Sequence, residues 1–582
     1  MAEKFLYIIS FLIGFADCVS IEIKGNATVV DILVGKADQT RFQNIEPITN
    51  DEILQQDSAF WLGIGENTLK QKLQTDDRNS YKKAKNIVIF IGDGMGISTV
   101  TAARIYKGQQ KFGQSGEEYE LEFDKFPHTA LVKTYCVDMQ VADSAATATA
   151  LFTGIKTRYE ALSVDVNCNQ TIFDKDVYEK GKVDSIMDWA QAADKDTGII
   201  TTTRITHATP AATYAHANNR YWECDDELPQ TARGYAKDIA RQLIEDVPGN
   251  KFKVILGGGQ QQMGHTTNYT EYCTRQDGRN LTDIWAQNKM GSNFVLASTT
   301  ADLDAVNDDT EYLLGIFAPD HMPYELDRDV TPAGTPSLTE MTRKALQILK
   351  KVEGGLIDQA HHKNYARLSL EEAAEFDNAI SLVLNETGPD TLVLVTADHS
   401  HAFTFNGYSK RGNDILGYTE KAGEDDRPLL TLAYANGPGF DYHYMPDSSP
   451  NNTYPWRDTR TDVNRLNDSH YQQVGTFYSV DETHGGEDVA LFVKGPQSDL
   501  VHGVVEQNYV AHFISYAGCI GPHANLNPAC EEEETTSGGV VLPVFNALII
   551  VPETERNKPE PLCIAQTPHS RLQQVHDPSL DL

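Results

Sequence analysis

Short apolar runs that end in glycine or polar residues recur along the chain. Each has the length and the Val, Ile and Leu content of a strand buried on both faces of a parallel sheet. The four clearest runs are residues 86–91, 198–203, 254–256 and 391–396. The helical stretches that alternate with such runs include residues 59–73, 183–193, 236–245 and 370–384. This alternation predicts an α/β fold, a three-layer sandwich in which helices cover a central, mostly parallel sheet.

Polar residues follow three of the predicted strands. They are Asp93 after the first strand, His207 and Thr209 after the second, and Asp398 and His399 after the fourth. The carboxyl ends of parallel strands lie at one edge of the sheet, where ligands bind in such folds. We therefore expect these residues to lie close together.

A serine at the start of an alanine-rich helix is the candidate nucleophile. Asp143 is a residue type that caps helices, and residues 145–152 contain no helix breaker before Gly154. The hydroxyl group of Ser144 would lie over unpaired backbone N–H groups, where phosphate binds. Taken alone, the pattern is more typical of an ordinary serine in a first helical turn, so the assignment depends on the residues around it.

The charge of the chain limits its partners. The 582 residues carry a formal net charge of −34 at pH 7, with a sequence pI near 4.8. Such a surface repels nucleic acid and anionic membranes, so we expect neither as a partner. An anionic substrate needs concentrated positive charge in the site, which metal ions supply compactly. Arg220 would add a bidentate fork for phosphate oxygens.

The segment 353–362 combines carboxylates and imidazoles around glycines. Asp358 and His362, four residues apart, can share one face of a helix. His484 would complete a set of two imidazoles and one carboxylate. Such a set leaves one coordination position open, as catalytic zinc requires.

Two further sets of residues have the donor types of metal sites. One would bind a second zinc ion and activate the serine hydroxyl; its members are Asp93, Ser144, Asp398 and His399. The other has only oxygen donors, which suits magnesium; its members are Asp93, Thr209 and Glu353. The predicted cofactors are therefore two Zn²⁺ and one Mg²⁺.

Together these motifs resemble those of animal alkaline phosphatases, over about residues 60–530. The segments that carry the resemblance are 91–96, 143–145, 206–211, 353–362, 396–401 and 484–488. The resemblance implies the three metal ions above in each subunit, with His207 beyond the direct magnesium ligands, and a homodimer. It also implies broad hydrolysis of small phosphate monoesters through a phosphoserine on Ser144, with an alkaline optimum.

The sequence departs from the family pattern at three places. Gln359 stands where relatives have a His or Lys that contacts phosphate through water. The apolar strand that relatives have before the Glu353 loop is missing, which indicates a deletion of several residues. Ala318 and Thr335 stand where acidic calcium ligands align, so we do not expect the peripheral calcium site.

The N-terminal residues predict secretion, because Lys4 precedes an apolar run that is too short to span a bilayer. Seven glycosylation acceptors fit this destination: Asn26, Asn169, Asn268, Asn280, Asn385, Asn451 and Asn467. A polar stretch follows the last apolar run, which makes a poor lipid-anchor signal and leaves membrane attachment as the less favoured expectation.

The chain divides into five predicted segments. They are a signal peptide (1–20), an N-terminal arm (21–58), a catalytic domain (59–410 and 481–530), a crown-like insertion (411–480) and a C-terminal tail (531–582). The insertion is rich in Gly, Pro, Asn, Asp and Tyr, with weak periodicity, and resembles the crown domain of animal relatives.

The cysteines fit an oxidising compartment. Of the 8 cysteines, Cys18 leaves with the signal peptide, so an odd number remains in the mature chain. Cys519 and Cys530 are close enough in sequence to form a local disulfide. Cys168 with Cys224 is the second expected pair.

Other functions remain open from the sequence. A secreted binding or scaffold protein could keep the fold and lose turnover. A phosphodiesterase or sulfatase of the same superfamily is the other alternative. Sulfatases need a Cys/Ser-x-Pro-x-Arg context, which the residues after Ser144 lack, and diesterases of this type generally use Thr.

Overall fold

The structure is a computed structural model that describes residues 49–75, 82–265, 273, 275–349, 356–422, 428–440, 462, 465–530 and 546–551. Residues 53–582 belong to one unit and residues 1–52 to another. The predicted signal peptide and residues 21–48 of the predicted arm lie outside the described residues, as do Glu353 and the residues just before it.

The strands are β1 (Asn86–Ile91), β2 (His128–Lys133), β3 (Asp196–Arg204), β4 (Val254–Gly258), β5 (Phe294–Ala297), β6 (Tyr312–Ile316), β7 (Thr391–Thr396), β8 (Ser400–His401), β9 (Phe403–Phe405), β10 (Tyr418–Ala422), β11 (Pro428–Leu430), β12 (Leu432–Gly437), β13 (Gly475–Tyr478), β14 (His484–Gly485), β15 (Val489–Lys494), β16 (Gly503–Glu506) and β17 (Asn546–Val551).

The α-helices are α1 (Asn50–Leu54), α2 (Ser58–Thr75), α3 (Ile97–Phe112), α4 (Ser144–Thr153), α5 (Lys175–Gly181), α6 (Ile186–Ala192), α7 (Ala208–Ala211), α8 (Ile239–Glu245), α9 (Leu281–Asn288), α10 (Thr300–Asp304), α11 (Leu338–Leu349), α12 (Ile357–His362), α13 (Ala366–Glu386) and α14 (Tyr509–Gly518). Short 3-10 helices lie at Glu122–Lys125, Gly249–Lys251, Ser498–Leu500, Gly521–Leu526 and Pro528–Cys530.

A ten-stranded sheet organises the chain, in the order β16-β2-β15-β7-β1-β17-β3-β4-β6-β5. From β7 to β5 the neighbours pair in parallel, while β15 runs antiparallel to both β7 and β2. Helix α11 packs on β3 and β4, and α14 packs on β1. The predicted fold class, a mostly parallel sheet covered by helices, is confirmed.

The buried core follows from the apolar runs. Every residue of β7 is buried, as is every residue of β1 after Asn86. Phe90 of β1 packs edge to face against Phe376 of α13, with ring centroids 5.6 Å apart. Because both faces of these strands are covered, the sequence reads as continuous apolar residues without alternation.

One strand lies within the predicted C-terminal tail (531–582). Asn546–Val551 form β17, which lies between β1 and β3 in the centre of the sheet. In the predicted insertion, β12 pairs with β9 and β13, and β10 pairs with β11. Its boundaries stay a prediction.

One predicted disulfide is confirmed and the other is wrong. Cys519 and Cys530 are bonded, but Cys224 pairs with Cys273, with Cα atoms 6.3 Å apart. Cys168 is a buried free thiol whose Sγ faces the carbonyl oxygen of Val177. Burial and the nearby Asp165 carboxylate raise the pKa of this thiol to about 12. Spacing along the sequence could not reveal which cysteines lie close in space.

Candidate active site

Ser144 begins helix α4 where a loop enters the core. Asp143 caps the helix, because its carboxylate accepts hydrogen bonds from the backbone N–H groups of Ala145 and Ala146. At the other end Gly154 takes a φ of 79°, a left-handed conformation that glycine adopts without strain. All ten residues of the helix are buried. The Ser144 hydroxyl is thus held at a fixed point inside the protein.

A carboxylate and an imidazole face that hydroxyl, and a second carboxylate faces the imidazole. Ser144 Oγ lies 3.0 Å from Nε2 of His399 and 3.5 Å from Oδ1 of Asp93. Nε2 of His399 is 3.2 Å from Asp93 Oδ1 and 3.3 Å from Asp398 Oδ2. The structure therefore brings together the four residues predicted for the second zinc site. They come from the ends of β1 and β7 and from the start of α4.

The donor atoms of this cluster fit a cation. The Nδ1 of His399 lies 3.3 Å from the carbonyl oxygen of Ser400, which accepts the ring proton in the tautomer that leaves the Nε2 lone pair for a cation. Burial holds the pKa of His399 well below its usual value, so the ring is neutral. Burial raises the pKa of Asp93 well above its usual value, and the neighbouring Asp398 and Asp358 carboxylates add to it. A divalent cation would relieve this crowding of buried acceptor atoms.

A second cluster joins Asp358 and His362 of α12 to His484 of β14. The Nε2 atoms of the two histidines are 3.1 Å apart, and both lie within 4 Å of Asp358 Oδ1, at 3.7 and 3.9 Å. The pairing of β14 with β8 places His484 beside His401 and so brings this distant residue to the site. The three residues predicted for the first zinc site thus converge.

This second cluster also fits a cation. Both histidines face a backbone carbonyl with Nδ1, His362 that of Glu482 and His484 that of Ala142. Burial lowers both pKa values well below their usual range, so two neutral nitrogens point lone pairs at each other. The buried Oδ2 of Asp358 has no hydrogen-bond partner among the residues that the structure describes. A zinc ion would satisfy all three groups.

His401 and Glu482 belong to this cluster, although the sequence did not single them out as site residues. His401 contacts Asp358 Oδ1 through Nε2 and Glu482 Oε2 through Nδ1, and all three side chains are buried. Burial disfavours the charged ring, but the two carboxylates raise the pKa of His401 to about 10. No local pattern marks His401 as a site residue, because its partner Glu482 lies 81 positions away in the sequence.

Arg220 is oriented by two neighbours. Its NH1 group donates to Asp143 Oδ2 at 2.9 Å, and its NH2 group lies 2.7 Å from Nε2 of His207. Burial and the nearby Arg220 guanidinium keep the pKa of His207 well below its usual value. The carboxylate that caps the Ser144 helix therefore also fixes the guanidinium beside it.

Two comparisons with known proteins identify the family. A family model described as alkaline phosphatase matches residues 84–520. Alkaline phosphatase 4 of Drosophila melanogaster is 48% identical over 513 residues, which cover 82% of this chain and 84% of the relative. The tissue-nonspecific isozyme of Gallus gallus is 42% identical over 527 residues, which cover 85% and 96%.

The chain belongs to the alkaline phosphatase family. Solved structures agree at the level of the fold: the alkaline phosphatase of the Antarctic bacterium TAB5 has a TM-score of 0.50 at 22% identity, covering 76% of this chain and all of that one. The Thermus thermophilus enzyme has a TM-score of 0.51 at 22% identity, covering 75% and 91%. Family membership supports metal-dependent hydrolysis of phosphate monoesters and does not favour the scaffold or diesterase alternatives.

The predicted magnesium set of this alkaline phosphatase family member is described in part. Oδ2 of Asp93 lies 3.2 Å from Oγ1 of Thr209, which α7 presents after β3. Glu353 lies outside the described residues.

Gln359, the departure noted in the sequence, places its amide nitrogen 3.0 Å from Nε2 of His321. A histidine from a different segment thus stands next to the position where alkaline phosphatase relatives carry a histidine or lysine.

Proposed function

We propose that the chain hydrolyses phosphate monoesters through a covalent phosphoserine on Ser144. The observation that carries this proposal is the position of the Ser144 hydroxyl, buried at a helix N-terminus and 3.0–3.5 Å from an imidazole nitrogen and a carboxylate oxygen. An ordinary serine in a first helical turn would not have such neighbours. The family relationship supports the same activity.

The metal sites follow from the clusters of donor atoms. One zinc ion would be held by Asp358, His362 and His484, whose donor atoms lie within 4 Å of one another. The other would be held by Asp93, Asp398 and His399, with the adjacent Ser144 hydroxyl. Magnesium would be held by Asp93, Thr209 and Glu353. Bound there, the ions would supply positive charge that favours the serine alkoxide and stabilises the charge on the phosphoryl and leaving oxygens.

The protein residues position the reacting groups. The Ser144 hydroxyl faces acceptor atoms of Asp93 and His399, so its proton points toward them and an oxygen lone pair remains for attack on phosphorus. Arg220, anchored by Asp143, presents a planar fork that matches two non-bridging phosphate oxygens. The contacts address the phosphoryl group, so the alcohol portion of the substrate is weakly discriminated.

Turnover of an aryl phosphate at alkaline pH, with metal analysis of the same sample, tests the proposal. We expect hydrolysis, a zinc content near two ions per chain, and phosphate trapped on Ser144 after an acid quench. Ser144→Ala should abolish the phosphoenzyme while zinc stays largely bound. Ser185→Ala, which changes a buried serine at the start of α6, is the matched control and should keep turnover. Labelling that persists in Ser144→Ala would refute the assignment.

Secretion, glycosylation and dimerisation are part of the same proposal. Among the acceptors within the described residues, Asn385 and Asn467 are exposed and Asn169 and Asn280 are half-buried. Among the described residues, no helix is both long and apolar enough to cross a membrane. Sedimentation of the secreted protein at micromolar concentration should show a homodimer, and a glycosidase should lower its mass. A monomer at that concentration would contradict the dimer.

A further inference from the structure

The C-terminal strand lies in the middle of the catalytic sheet. β17 pairs in parallel with β1, where Asn546–Ile550 align with Asn86–Phe90. It also pairs in parallel with β3, where Asn546–Val551 align with Asp196–Thr201. Both of its edges are therefore hydrogen-bonded. Since neighbouring strands lie about 4.8 Å apart, β17 separates β1 from β3 by about 10 Å.

This separation extends to the candidate site. Asp93 follows β1, and Thr209 lies in α7, which follows β3 and also packs against β17. The Asp93 carboxylate and the Thr209 hydroxyl, 3.2 Å apart, approach each other across the end of β17. Any change in the distance between β1 and β3 would move these two oxygen donors apart or together.

We propose that the C-terminal segment supplies a permanent strand of the catalytic sheet, which sets the separation of Asp93 and Thr209 and must stay attached in the mature protein. Without it, β1 and β3 would present two unpaired edges in the middle of the core. In the part of the chain that the structure describes, every other strand of this sheet already has its own place in the order, so none of them is left to fill the gap between β1 and β3. The inference goes beyond the hydrolytic activity, and it excludes a lipid anchor attached before residue 546.

Hydrogen exchange on the full-length, metal-loaded protein tests the position of the strand. We expect the amides of residues 547–551 to exchange as slowly as those of β1 and β3, because a strand paired on both edges opens only with the sheet. Exchange of residues 547–551 at the rate of an unfolded peptide, while β1 stays protected, would overturn the proposal. So would a secreted, folded protein whose intact mass lacks these residues. Neither measurement depends on turnover, so a failure of this proposal can be distinguished from a failure of the proposed hydrolytic activity.

A proline pair in the full chain tests the importance of the strand. Leu548→Pro removes a backbone donor from the centre of β17, whereas Ala565→Pro makes the same change beyond it. We expect Leu548→Pro to lower the unfolding temperature by roughly 5 °C or more and to speed exchange of the β1 and β3 amides. Ala565→Pro should behave as wild type. Equal unfolding temperatures and exchange rates for the two variants would overturn the proposal. If Ala565→Pro can be purified as a folded protein and Leu548→Pro cannot, the result would show that folding requires the strand.

Discussion

His401 should control how tightly the first predicted zinc site holds its metal. Its ring bridges Asp358, a predicted zinc ligand, and Glu482, and all three side chains are buried. Loss of such a supporting contact typically costs about 10- to 100-fold in metal affinity. At about 1.4 kcal/mol per tenfold change, this corresponds to roughly 1.4–2.8 kcal/mol.

Two amide substitutions separate the two ends of the ring. The amide of asparagine replaces Nδ1, so His401→Asn keeps the contact with Glu482 and loses the contact with Asp358. The longer glutamine replaces Nε2, so His401→Gln keeps the contact with Asp358. We therefore expect His401→Asn to weaken zinc binding by about 10- to 100-fold and His401→Gln by about threefold or less. Competition with a zinc chelator at fixed pH measures both.

A surface pair provides the matched control. His470 lies 3.1 Å from Asp327, but its side chain is 46% exposed, and such pairs contribute about 0–1 kcal/mol. His470→Asn should leave zinc affinity unchanged. Equal zinc affinities for wild type and His401→Asn would refute the reasoning, since the Asp358 carboxylate would then need no support from His401. Stronger loss in His401→Gln than in His401→Asn would show that the Glu482 end dominates, contrary to the expectation.

Three further perturbations test other parts of the structure. Burial lowers the pKa of Lys156 to about 8 from 10.5, so between these two pH values the unfolded chain binds more protons than the folded chain. The free energy of unfolding should therefore rise with pH by up to about 3 kcal/mol over this range. Urea unfolding should show this rise in wild type and lose it in Lys156→Met. Arg220→Lys keeps the charge but loses the fork, and kcat/KM for an aryl phosphate should fall about 100-fold, whereas an unchanged value would exclude a bidentate role. Cys519→Ser removes the disulfide bond to Cys530, which closes a loop with a sequence separation of 11. The free energy of unfolding, measured by thermal unfolding, should fall by about 2–3 kcal/mol. An unchanged value would contradict the expectation that this bond restricts the unfolded chain.

The sequence predicted the local features of the site. The run 391–396 followed by Asp398-His399 forms β7 with both side chains at its carboxyl end, and Asp143 caps the helix that begins at Ser144. These features depend on residues within a few positions of each other. The roles of His401 and Glu482 could not be read in the same way, because 81 positions separate them and only the fold brings them together.

The sequence by itself determined local elements such as β1, β7 and the helix that begins at Ser144, because periodicity, capping residues and glycines act over one or two turns of chain. The tertiary structure decided which segments become neighbours. Cys273 rather than Cys168 lies beside Cys224, and the apolar residues near the C-terminus enter the sheet between β1 and β3. The physical reason is that an apolar strand can pair with many others, and the choice depends on which edges the rest of the chain leaves open.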